Sequence, residues 1–205
     1  GIEYREYGGI QKNPDIEDVN NILSLCRPFQ PELILAAGGG SVLDTAKSVC
    51  HGYFYDGDPL DFNKHLVTPL HALPLATIIT LSASGSERSD SCVISDRMHH
   101  FKGGFNSVTN YPLFSLEDPS LTFSVPPYQL GCGLADRFSH SFERYCSPSH
   151  ELEPCDGLAL SIRKSVVSIT NRVLAKADDR EAKRARRICG SLSHDGFTNF
   201  GKKKL

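Results

Sequence analysis

The sequence predicts an α/β part built on a parallel sheet, followed by an all-α part. Three observations carry this. Up to about residue 119, short apolar runs alternate with helix-period patterns, the grammar of βαβ units. The stretch LAAGGGSVLDTAK, residues 35–47, ends an apolar run in three glycines and passes straight into a helical pattern. After Pro126 and Pro127 the strand-like runs stop and helical patterns continue.

Taken in order, Pro14 and Asp15 supply a helix start, and a helix is expected over 16–26. Residues 33–37 read as a strand whose leucines, isoleucine and alanines are buried on both faces, as in the centre of a parallel sheet. The glycines end it sharply, and a helix over 42–50 begins from Ser41. A loop is expected over 53–69, a strand over 75–81 and a second loop over 96–110. Helices are then expected over 128–145, 154–174 and 179–192. There are no internal repeats or low-complexity tracts, and the composition shift sets two domains, 1–119 and 120–205.

Bulk properties narrow the function. The 205 residues are 40% hydrophobic and 22% charged, within the range of globular proteins. A formal net charge of −2 gives no electrostatic footprint for nucleic acid and no polybasic membrane anchor. No segment reaches the ~20 apolar residues of a membrane span, and GIEYREYGGI does not read as a signal peptide. The seven scattered cysteines contain no Cys-x-x-Cys pair and read as reduced thiols of a cytoplasmic protein. The start, without an initiator methionine, enters mid-pattern, so the chain is expected to be a fragment lacking an earlier part.

Three constellations carry chemistry. In the first, Gly38, Gly39 and Gly40 let backbone approach a ligand, and the free N–H groups of the following helix favour an anion such as a pyrophosphate. It is neither the Walker pattern nor the spaced-glycine dinucleotide fingerprint. A tight turn without a ligand is the alternative, with Asp44 and Lys47 as plain solvated helix residues. The second is TIITLSASGSE, residues 77–87, where Thr80, Ser82, Ser84 and Ser86 could wrap a phosphate or ribose, or simply form a polar loop. The third is GLADRFSHSFERY, residues 133–145. Asp136 and His140, four apart, leave one face of a helix as a metal-binding or acid/base pair would, or as an ordinary surface pair. Arg137, Glu143 and Arg144 read as solvated helix charges.

Together, in this order and spacing, GGGSVLDTAK, LSASGSE and EDPSLTFSVPPYQLGCGLADRFSHSFERY resemble the iron-containing (group III) alcohol dehydrogenase family, most closely its butanol dehydrogenase-like aldehyde reductase branch. The resemblance runs from about Tyr7 to at least Tyr145. It implies a dehydroquinate synthase-like two-domain architecture, with a Rossmann-like dinucleotide-binding domain ahead of a helical metal and substrate domain. It further implies hydride transfer between NAD or NADP and a small alcohol, aldehyde or ketone in a cytoplasmic homo-oligomer, such as a dimer. Gly39, Gly40, Ser41 and Asp44 match the family's pyrophosphate turn, and Thr80, Leu81, Ser89, Lys102 and Leu121 match nucleotide-contacting positions. Asp136 and His140 match the first two ligands of Fe(II), or Zn(II) in some members. Such a cation lowers the barrier to hydride loss by stabilising charge on the carbinol oxygen. No further catalytic residue is assigned.

The departures bear on activity. Ala83-Ser84-Gly85-Ser86-Glu87 keeps a hydroxyl where the family has alanine-threonine-glycine-serine-glutamate. The family's two later metal-ligand histidines have no counterpart here; His194, in SLSHDGF, matches neither, and the 205 residues alone are expected to be inactive or nearly so. The loop that separates NAD from NADP would precede Gly1, so cofactor choice stays open. Two other readings remain: a relative such as a glycerol dehydrogenase or dehydroquinate synthase, and a non-catalytic remnant that keeps nucleotide binding or association. REAKRARR, residues 180–187, His99-His100 and Lys202 to Lys204 read as a solvated face, an exposed loop and a tail.

Overall fold

The computed structural model describes residues 1–146 and 153–175. The expected helix over 179–192, the basic stretch 180–187, Cys189, His194 and Lys202 to Lys204 lie outside the described residues. The chain divides into two units, Gly1–Ile78 with Ser89–Leu116, and Ile79–Arg88 with the chain from Glu117 onward.

In the first unit, helix α1 (Ile16–Phe29) starts where Asp15 caps it, its carboxylate accepting from the Glu17 N–H at 3.1 Å. Glu17 and Asp18 in the first turn and Arg27 in the last complement the helix dipole. The helix ends on Gln30 in the left-handed region, φ 56°. Val19, Leu23 and Cys26 form its buried stripe.

Strand β1 (Ile34–Gly38) leads into helix α2 (Gly40–Gly52), and a short helix α3 (Leu60–Asn63) interrupts the expected loop over 53–69. Strand β2 (Leu75–Ile79) follows, and the later strand β5 (Phe114–Leu116) pairs with it in parallel, Ala76 opposite Phe114 and Ile78 opposite Leu116. The sheet order is β1-β2-β5. The Ile34 N–H donates to the Pro74 carbonyl at 2.9 Å, so β1 and β2 start at the same end of the sheet.

Among the described residues β1 pairs with β2 alone and has one covered face, which differs from the expectation of a central strand buried on both faces. Ala36 and Gly38 are buried, while Leu35 is 55% exposed and Ala37 is exposed. The period-2 alternation is that of a strand packed on one side only. The central strand is β2, with Leu75, Ala76, Thr77 and Ile79 buried.

The expected loop over 96–110 is also corrected. Strand β3 (Ser91–Asp96) turns back into β4 (Phe101–Asn106) as an antiparallel pair, Cys92 opposite Phe105 and Asp96 opposite Phe101. FKGGFN carries two glycines, and Gly103 is there for close approach: a Cβ on it would lie 2.8 Å from the Asn63 carbonyl oxygen. Asn63 in turn donates to the carbonyls of Cys92 at 3.1 Å and Gly103 at 3.0 Å. Val19, Leu23, Val49, Leu60, Phe62, Cys92, Ile94 and Phe105 close the core of this unit.

In the second unit, the described residues from Glu117 onward form a 3₁₀ turn (Pro119–Thr122) and helices α4 (Pro127–Tyr145) and α5 (Glu153–Ala175). Leu130 and Leu134 of α4 pack with Ala159, Ile162, Val166 and Ile169 of α5, the i, i+3, i+4 spacing of facing helical stripes. The Arg163 guanidinium stacks 4.2 Å from the Tyr145 ring centroid. No helix among the described residues is long and apolar enough to cross a membrane.

Candidate functional site

The triple-glycine bend divides its labour. Gly38 closes β1, and a Cβ there would sit 2.5 Å from Val42 Cγ2 and 2.7 Å from Val42 Cβ, so only glycine fits against the first turn of α2. Gly39 is the N-cap and offers no side-chain cap, and α2 starts at Gly40, one residue ahead of the expected Ser41. The Gly39 carbonyl accepts from the Val42 N–H at 3.0 Å and the Leu43 N–H at 3.2 Å. The amides of Gly40 and Ser41 precede these first paired donors, which is the arrangement that receives an anion.

Asp44 and Lys47 turn inward, so neither is a plain solvated helix residue. The Asp44 carboxylate accepts from the Val93 N–H at 3.2 Å. Lys47 is 1% exposed, and its ammonium donates to the carbonyls of Ser91 at 2.8 Å and Ser89 at 3.0 Å. Both side chains therefore stitch α2 to the entrance of β3. Ser89 is buried, and its hydroxyl accepts from the Ser91 N–H at 3.0 Å. Lys102, on β4, is exposed and donates to the Asn13 side-chain oxygen at 3.2 Å.

The second unit carries the remaining candidates. Thr80 and Leu81 follow the end of β2 and are half-buried, whereas Ser82 is buried. Gly85 adopts φ 83°, a left-handed conformation that glycine supplies without strain. Ser86 and Glu87 are buried in the 3₁₀ turn that follows. Leu121, in the turn Pro119–Thr122, exposes its apolar side chain.

On α4 the spacing of Asp136 and His140 does what it predicts. The His140 Nε2 lies 3.6 Å from the Asp136 Oδ1, with both side chains partly open to solvent. This pair offers one oxygen and one nitrogen donor from a single helical face, a set suited to Fe(II). Among the described residues no group of three or more His, Cys, Asp or Glu could hold a metal ion, so the pair fits half a coordination shell.

Arg137 corrects the reading of it as a solvated charge: it is 0% exposed, and its Nη2 donates to the Ser82 hydroxyl. The signal for its burial was present in the sequence. Leu130, Leu134, Arg137 and Ser141 follow one helical stripe, and all four are buried. Glu143 is exposed as expected. His99 belongs to an exposed turn and meets Asp96 at 2.6 Å. That bond is the main cause holding the Asp96 carboxyl below its usual range. Cys26, Cys50, Cys92, Cys132 and Cys146 are free thiols, and burial pushes Cys26, Cys50 and Cys92 up, away from reactive thiolate.

Residues 1–119 match the family model for iron-containing alcohol dehydrogenase. NADH-dependent butanol dehydrogenase A of Clostridium acetobutylicum is 37% identical over 201 residues, covering 98% of this chain and 52% of that protein. The NADPH-dependent aldehyde reductase YqhD of Escherichia coli is 29% identical over 194 residues, covering 89% and 48%. The crystal structure of NADH-dependent butanol dehydrogenase A from Thermotoga maritima superposes with a TM-score of 0.95 at 32% identity, covering 99% of this chain and 51% of that one. The chain spans about half the length of the curated relatives it matches. With more than half of its residues matched by the family model, and a parallel sheet and helices that superpose on a butanol dehydrogenase, this chain belongs to the iron-containing alcohol dehydrogenase family.

Proposed function

We propose that this chain carries the nucleotide-binding half, and the first two metal ligands, of an NAD(P)-dependent oxidoreductase that interconverts a small alcohol with its aldehyde or ketone. The observation that carries the reading is the Asp136–His140 pair, 3.6 Å apart on one face of α4, in a chain whose 1–119 stretch belongs to this family. Domain roles follow the same division: 1–119 bind the dinucleotide and 120–205 serve metal and substrate.

Gly39, Gly40 and Ser41 bind the diphosphate through backbone N–H groups, and Asp44 keeps that turn in place through Val93. Thr80, Leu81 and Leu121 line the nucleotide, and Lys102 is free to leave Asn13 for a phosphate. Ser89 contributes by anchoring Lys47 and Ser91. Asp136 and His140 hold the iron. When bound, iron supplies a Lewis acid for the alcohol or aldehyde oxygen. The relatives' names include both NADH- and NADPH-dependent enzymes, so both nucleotides are candidates. A cytoplasmic homo-oligomer is the proposed setting: the free cysteines fit a reducing compartment, and exposed Leu33, Leu35, Leu113, Phe114 and Leu116 offer apolar surface for association.

A second reading is nucleotide binding without turnover. Titration with NADH and NADPH, followed by nucleotide fluorescence, tests the shared part, and a chain that binds neither refutes both readings. Iron content measured with and without Asp136→Ala tests the metal assignment. Loss of iron in the variant supports it, and equal iron in both overturns it.

A further inference from the structure

We propose that Arg137 is a positioning residue that locks the loop 79–88 to helix α4, so that Thr80 and Leu81 keep one fixed spacing from Asp136 and His140. The inference rests on the function proposed above and goes beyond it by naming what holds the two sets of side chains in register.

The argument begins with desolvation. A guanidinium stays charged at any physiological pH, and burying one is expensive unless its geometry is well matched. Arg137 is 0% exposed, on a stripe otherwise made of Leu130, Leu134 and Ser141. An apolar residue of similar volume would fill that position without the desolvation penalty. Packing alone therefore does not call for arginine, whereas a directional bond does. Its Nη2 makes that bond to the Ser82 hydroxyl, which is itself buried.

A second contact lies one turn earlier on the same helix. A Cβ on Gly133 would stand 3.0 Å from the Ser82 carbonyl oxygen and 3.7 Å from Ala83 Cβ, so the helix backbone comes close to the loop there. Positions 133 and 137 are four apart, as are 136 and 140, and the two pairs leave adjoining faces of α4. Helix α4 thus meets Ser82 at two successive turns, by backbone at Gly133 and by side chain at Arg137. Two attachment points fix the rotation of the helix about its axis as well as its distance from the loop. That rotation sets the direction of Asp136 and His140, and Ser82 lies one residue beyond Leu81 and two beyond Thr80.

The test compares the 205-residue chain with Arg137→Met, Arg137→Lys, Ser82→Ala and the Arg137→Met/Ser82→Ala double variant. Hydrogen–deuterium exchange and NADH and NADPH titration are read on each. In Arg137→Met and Ser82→Ala the amides of 80–88 are expected to exchange about tenfold faster, with those of α5 unchanged. The double variant should be no faster than Arg137→Met, and Arg137→Lys should fall between that variant and wild type. Nucleotide affinity should weaken about tenfold in Arg137→Met and recover in part in Arg137→Lys. Wild-type exchange over 80–88 in Ser82→Ala overturns the proposal, as does faster exchange with unchanged nucleotide affinity. Should Arg137→Met fail to fold, Ser82→Ala and Arg137→Lys decide, since each keeps the helix filled. A wild-type chain that binds neither nucleotide refutes the proposed function instead, and exchange still reports whether Arg137 holds the loop.

Discussion

Replacing Gly38 by alanine is the sharpest probe of the strand-to-helix bend. The new Cβ would stand 2.5 Å from Val42 Cγ2 and 2.7 Å from Val42 Cβ. Carbon atoms rest at about 3.5–4.0 Å, so the first turn of α2 must retreat by roughly 1 Å. Overpacking of this kind costs about 1–3 kcal/mol. For a chain of this size each kcal/mol lowers Tm by about 2–4 °C, giving an expected loss of roughly 2–12 °C by thermal unfolding. The same displacement moves the Gly40 and Ser41 amides, and misplacement by ~1 Å can weaken a positioned interaction by as much as 10²-fold, read as nucleotide affinity. Adding Val42→Ala removes the Cγ contacts and leaves the 2.7 Å one, so recovery should be partial. Unchanged Tm and nucleotide affinity in Gly38→Ala would refute the reasoning.

Two further outcomes are expected. Lys47→Met deprives the Ser89 and Ser91 carbonyls of their donor and should lower stability by about 2–4 kcal/mol in urea unfolding; no shift in midpoint would show that the buried ammonium is dispensable. His51 is buried, with Nδ1 3.0 Å from the His71 carbonyl oxygen and Nε2 3.0 Å from Asn110 Oδ1. Burial pushes its pKa below the usual 6.5, so the unfolded chain takes up the proton first, and this contribution to stability is lost as pH falls below that value. The urea midpoint should therefore drop from about pH 7.5 to about pH 5.5, less in His51→Gln, and equal slopes would contradict it. Asp96 acts lower: its carboxylate contribution is present above 3.8 and lost as pH falls further, outside the histidine window.

Four elements of the first unit (α1, β1, α2 and β2) and both described helices of the second were legible in the sequence, because their signals are local, whereas α3, β3, β4 and β5 were not. The cap at Asp15, the glycine stop after β1 and the stripe of Leu130 and Leu134 each act within one turn or strand. What escaped depends on partners distant in sequence. Strand β4 carries two glycines that argue against a strand, and only its pairing with β3, with Asn63 against Gly103, makes one. Residues 33–37 have the composition of a central strand, yet among the described residues β1 pairs on one side only and Leu35 is exposed. Apolar content shows that a strand can be buried, while topology determines whether it is.

The polar residues follow the same logic at finer scale. Asp136 and His140 were readable because helical periodicity alone brings them to 3.6 Å. Lys47 and Arg137 look like surface charges by type; the stripe of Leu130, Leu134 and Ser141 marks Arg137 for burial, but the partners are distant, Ser89 and Ser91 for Lys47 and Ser82 for Arg137. Neither target is marked by spacing from its donor. In both cases the charged head binds a residue in or beside a stretch proposed to contact the nucleotide, and in neither case would an apolar side chain reproduce the bond. A buried cation that stitches a helix to a distant loop is therefore informative about where this chain must not slide: at the entrance to β3 and at the turn after β2, the two places where a shift of one ångström would reach the candidate ligands.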